Sequence, residues 1–152
     1  MDERLTSLKY HLEERFRLPA SAVEWLLMFF QVTQVFDDVA DNDEVTREEL
    51  NKCIWNTLVS MPLNPFFAAN STTLLPVVAL TILKWQASDA AERMGQADEM
   101  SFAWRAGFYD LCMIVVQICH GVKAATDFSP DVMKLYGEDF DTYRKEFVCQ
   151  IH

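Results

Sequence analysis

Apolar residues recur at steps of three and four along almost the whole chain, a period that suits helices and leaves no alternating pattern for a sheet. Leu5, Leu8, Leu12 and Phe16 trace a first stripe whose opposite face is charged. Pro19 opens a second helix over about Ala20 to Asp41, because a missing N–H costs nothing in a first turn. Thr46 and Glu49 form a capping box for a third helix, which should turn Leu50, Cys53, Ile54, Leu58 and Met61 inward and stop before Pro62. Two prolines and two asparagines make Pro62 to Thr73 read as an irregular connection, with Phe66 and Phe67 within it. Pro76 then belongs in the first turn of a fourth helix carrying Val77, Leu80, Leu83, Trp85 and Ala91 as far as Gly95. A fifth helix is expected from about Asp98 to Gly121. Ser129-Pro130 reads as the start of a sixth, broken near Gly137. The expected fold is all-α, an antiparallel bundle of about six helices forming one domain over residues 1–152.

Composition narrows the partners. The 152 residues are 51% apolar and 12% aromatic, enough to build a core, and they carry a net charge of −10. Counterion release needs clustered cations, so nucleic acid and anionic membranes are disfavoured. No signal-peptide pattern opens the chain. Val23 to Phe36 and Leu111 to Cys119, the most apolar stretches, fall short of the roughly 20 residues a membrane span requires, so no membrane span is expected. Cys53, Cys112, Cys119 and Cys149 form no C-x-x-C pair and read as reduced, buried thiols, consistent with a cytoplasmic protein. His11, His120 and His152 are too scattered to compose a nucleophilic triad. Trp25, Trp55, Trp85 and Trp104 sit one per long helix at positions compatible with packing.

The negative charge is unevenly placed: seven acids lie among the thirteen residues from Asp37 to Glu49, with Arg47 as the local counter-charge. Asp37, Asp38 and Asp41 share a helical face at a negative helix end, where like charges repel and the macrodipole is unfavourable. Oxygen ligands at this spacing suit Mg²⁺ completed by phosphate oxygens; a solvated acidic surface is the competing explanation. In an up-down bundle the ends of helices two and four meet the start of helix five. That would bring these acids near Ser88, Asp89, Glu92 and Arg93 and near Arg105, which could hold an anion. The arginines could equally neutralise neighbouring carboxylates.

The run Asp37-Asp38-Val39-Ala40-Asp41, preceded by Phe30-Gln31-Val32 and followed by Val45-Thr46-Arg47, resembles the D-D-x-x-D motif of trans-isoprenyl diphosphate synthases and terpene synthases. The resemblance covers about a dozen residues. It implies an all-α fold, Asp37, Asp38 and Asp41 as Mg²⁺ ligands, and Arg47 as a contact to a substrate diphosphate. Ser88-x-x-x-Glu92 is similar to the latter part of the second terpene-synthase metal motif, and Lys84-Trp85 stands where that motif has Asn or Asp.

Three functions follow as expectations. The first is an Mg²⁺-dependent site for a diphosphate-bearing small molecule, with Asp37, Asp38, Asp41 and Glu92 on the metal and Arg47, Ser88, Asp89, Arg93 and Arg105 on the ligand. The second is a non-catalytic interaction or adaptor protein that meets a basic or apolar partner, with Phe66-Phe67 as an apolar patch. The third is an all-α nucleoside triphosphate pyrophosphohydrolase. A half-sized bundle can also complete a cavity across a two-fold axis, which makes a homodimer one expectation.

Overall fold

The computed structural model describes residues 2–148, and among them every regular element is helical. Cys149 and His152 lie outside the described residues. Eight helices follow one another rather than about six. They are α1 (Glu3–Tyr10, continuing through a π-helical turn His11–Arg15), α2 (Ala20–Ala40), α3 (Arg47–Trp55, continuing through Asn56–Ser60 and Met61–Leu63), α4 (Pro65–Arg93), α5 (Glu99–Trp104), α6 (Gly107–His120), α7 (Val122–Met133) and α8 (Phe140–Val148).

The largest departure from expectation is the segment 62–73, which is helical and not a loop. Asn64 interrupts it: the backbone there is extended, and the side-chain Oδ1 accepts from Phe67 N–H at 3.0 Å. Asn64 is therefore the N-cap and Pro65 the first helical residue, the capping pattern expected at Ser129-Pro130. A kink at Asn70 follows, where the side-chain amide donates to the Phe66 carbonyl at 2.9 Å. Pro76 sits well inside α4. Ser129 and Pro130 lie inside α7 instead of starting a helix. Pro130 cannot donate to the Thr126 carbonyl, and the Ser129 hydroxyl takes its place at 2.8 Å. The expected long fifth helix is broken at Ala106, whose ψ of 20° leaves the helical range.

Other sequence signals hold. The Thr46–Glu49 capping box is formed in both directions, and Gly95 takes a φ of 71° behind α4.

The chain divides into two compact units, Met1–Ser71 and Thr72–His152. In the first, Leu12, Phe16, Val23, Trp25, Leu26 and Val32 are buried, and Phe67 stacks on Trp25 with centroids 5.5 Å apart. In the second, Leu74, Leu111, Cys112, Val115, Val116 and Val132 form the core. Gly107 lets α6 close onto α4, since a Cβ there would lie 3.1 Å from the Thr81 backbone. Cys53 and Cys112 are buried free thiols, whereas Cys119 is half-exposed. Among the tryptophans the packing expectation holds for Trp25, at 1% exposed, and fails for Trp55, at 62%.

Candidate functional site

The acidic segment belongs to the first unit. Asp37 and Asp38 occupy the last turn of α2, and Asp41 caps it, with its N–H bonded to the Asp37 carbonyl at 2.9 Å. Asn42 then turns left-handed at φ 60°, and Asp43 N–H returns to the Asp38 carbonyl at 2.8 Å. Partial burial raises the Asp38 carboxyl above its ordinary range, helped by the negative charges of Asp43, Asp37 and Glu49 and opposed by Arg4. Glu49 is committed to the capping box, where its carboxylate accepts from Thr46 N–H at 2.8 Å. Arg47 starts α3 and is exposed. Among the described residues, no three His, Cys, Asp or Glu side chains come together as a group that could hold a metal ion.

Ser88, Asp89, Glu92, Arg93 and Arg105 belong to the second unit, and the structure shows what each one does there. Asp89 is paired to Arg93 one helical turn on, Nε to Oδ2 at 3.0 Å, on a largely exposed side of α4. Ser88 and Glu92 face inward into a polar knot. The Ser88 hydroxyl lies 3.0 Å from Glu92 Oε2 and 2.8 Å from the Ser101 carbonyl. The Tyr143 hydroxyl, brought in by α8, lies 3.0 Å from the same Glu92 oxygen and 2.7 Å from Ser101 Oγ. Arg105 completes the knot, with Nε 3.8 Å from Glu92, Nη1 3.3 Å from Glu138 and the guanidinium 4.9 Å above the Tyr143 ring. Burial pushes the Glu92 carboxyl up, and Tyr143, Arg105 and Ser88 pull it back. Burial together with the Glu138 bond pushes the Tyr136 hydroxyl up.

Spacing on α4 gave no hint of Ser101, Tyr143, Tyr136 or Glu138. The one local signal was Asp98-x-x-Ser101, a reciprocal cap that fixes the start of α5 and presents Ser101 to the knot. Lys84 puts its ammonium 2.7 Å from Asp110 of α6.

A different feature stands out on the surface. From Cys53 through Leu83 the sequence contains no charged residue. Within that run Ile54, Trp55, Leu58, Leu63, Leu75, Leu80, Ile82 and Leu83 are exposed, with Leu58 at 71% and Leu83 at 60%. Of the five apolar residues expected to turn inward from α3, only Cys53 is buried. The Phe66-Phe67 pair is not the exposed patch, since Phe66 is buried and Phe67 stacks on Trp25. On α4 the usual division is reversed: Leu74, Thr81 and Ser88 are buried at intervals of seven, while leucines and an isoleucine face out. Because 65–73 is helical, α4 is long and apolar enough to cross a membrane by length and composition. Its most apolar stretch has a mean hydropathy of 1.7 and is 17% buried. This helix lies outside the two stretches that the sequence marked as most apolar.

No protein-family model, curated protein or solved structure matches the chain. The site is therefore read from its own geometry. The knot ties α8 to α4 and α5 through groups that satisfy one another. The surface of α4 is left with apolar area that nothing in its own unit covers.

Proposed function

We propose that the protein is a helical interaction module that docks a protein partner through the outward apolar face of α4. What supports the reading is the exposure of Leu75, Leu80, Ile82 and Leu83 on one helix within a charge-free run. Soluble proteins scatter single exposed apolar residues, but a contiguous apolar helix face is the mark of a contact surface. Protein is a better occupant than a lipid interior. The opposite face of the same helix is packed on its own chain and carries Thr81, Ser88 and the half-exposed Lys84–Asp110 pair, a one-sided arrangement unlike a segment surrounded by lipid. An apolar fluorescent dye tests this directly: the wild type should bind it, and the Leu75→Glu/Leu83→Glu variant should lose most of the signal. Equal signals from the two proteins would contradict the reading.

A second reading keeps the Mg²⁺ site for a diphosphate-bearing small molecule in a cytoplasmic protein, with Asp37, Asp38 and Asp41 on the cation. Its support is the placing of Asp37 and Asp38 in the last turn of α2 with Asp41 as its cap; partial burial and then the charges of Asp43, Asp37 and Glu49 raise the Asp38 carboxyl, and a divalent cation would offset that repulsion. Titration calorimetry with Mg²⁺ and inorganic pyrophosphate should then give heat that Asp38→Asn abolishes. Heat that is absent, or the same in both proteins, removes this reading.

A further inference from the structure

The outward face of α4 has a regular shape. Leu75, Ala79, Ile82 and Gln86 follow one another at steps of four, three and four, all exposed, and Leu80 and Leu83 flank them. That spacing is the seam of one helix laid along another, with the small Ala79 at its middle allowing close approach.

We infer that the occupant of this seam is the same seam on a second copy of the chain. This rests on the docking reading above and names its partner. Three observations carry it. First, the seam has no charge from Thr72 to Leu83, so two chains of net charge −10 can meet there without bringing like charges face to face. Second, a two-fold contact pairs a surface with itself, and a face of leucine, isoleucine and alanine is self-complementary in a way that a charged or hydrogen-bonding face is not. Third, the area is adequate. The face from Thr72 to Ala87 runs about 22 Å along the helix, and matching it with its mate buries on the order of 1,000 Å² in total, where specific interfaces begin.

An antiparallel crossing centred between Ala79 and Ile82 places Ala79 of each copy against Ile82 of the other and Leu75 against Gln86, with Leu83 at the flank. Asp89 and Arg93 lie beyond the apolar stretch and already neutralise each other within each copy. A basic partner would instead be drawn to the acids of residues 37–49, which belong to the first unit.

Sedimentation velocity of the full chain over a wide concentration range tests the inference. The wild type should pass from the 17.6 kDa chain mass to twice that mass as concentration rises. Leu75→Glu/Leu83→Glu, at two exposed positions, should stay at the single-chain mass with an unchanged circular dichroism spectrum. Wild type that stays at the single-chain mass throughout overturns self-association. In that case, dye binding lost in the variant leaves the docking reading standing with another partner. Dye binding equal in the two proteins removes both. Co-sedimentation of single-chain wild type with neutral phosphatidylcholine vesicles, lost in the variant, assigns the face to lipid and overturns both protein-partner readings. A doubled mass that persists unchanged in the variant also overturns the seam as the site.

Discussion

Helices α2 and α4 are both long and strongly apolar, yet they use their apolar residues in opposite ways. α2 buries Val23, Trp25, Leu26, Phe29 and Val32 and ends in the half-buried acids Asp37 and Asp38. Past the kink at Asn70, α4 buries Leu74 with two hydroxyl residues, Thr81 and Ser88, and exposes Leu75, Leu80, Ile82 and Leu83. The difference follows from what faces each helix. Close approach of α6 through Gly107 leaves room for Thr81 and little for a larger side chain. Farther along, Ser88 supplies a hydroxyl between Glu92 and Ser101. The inward face of α4 is selected for small size and hydrogen bonding, and its outward face is free to be apolar for another purpose.

This contrast can be broken in several places, and the largest effect belongs to α2. Leu26→Ala removes a fully buried side chain and should cost about 2–5 kcal/mol in denaturant unfolding. A cost below that of an exposed leucine would undo the assignment of α2 to the core. Ser88→Ala on α4 should cost about 1–3 kcal/mol, because the hydroxyl that lies between Glu92 and the Ser101 carbonyl is lost and with it the one proton they share. A neutral result would mean that the polar knot is not what holds this face.

The carboxyls give an effect of definite sign. Glu92 has a folded pKa raised above its ordinary 4.5, so the native state holds its proton more tightly than the unfolded chain. Stability from this group is present below that value and is lost as pH rises through the raised folded pKa. Asp38 is raised too, and acts in the same direction from a more exposed position. Glu92→Gln should therefore flatten the fall of stability above pH 4.5 more than Asp38→Asn does, as read by denaturant midpoints across pH. An equal effect of the two would place the main penalty at the end of α2. The smallest effect is expected of Leu83→Ala, within about 0.5 kcal/mol for the single chain, because the side chain it removes is largely exposed.

Much of the fold is legible in the sequence, because caps and period are local. Thr46 with Glu49, Gly95, and Asp98 mark helix ends where the structure has them. Residues 62–73 look like a loop in the sequence for a physical reason: Asn and Pro break a helix or begin one, and only the pairing of Asn64 as cap with Pro65 as first residue decides which. Period also cannot say which stripe is inward when two are available. Leu50, Ile54 and Leu58 recur as a core stripe would, and all three are exposed. The knot was half legible. Ser88 and Glu92 share a face by spacing, whereas Tyr143 reaches them from far along the chain, which no local pattern encodes. The charge-free run from Cys53 to Leu83 was readable from the start, and it is the best single pointer to the surface proposed for docking.

The central claim is that the outward face of α4 is left uncovered by its own unit. Hydroxyl-radical footprinting of the Leu75→Glu variant, which the account expects to be single-chain, measures it side chain by side chain. The account predicts that Leu80 and Leu83 are labelled much faster than Leu74 on the same helix, whose exposure is 0%. Protection of Leu80 and Leu83 equal to that of Leu74 would contradict it.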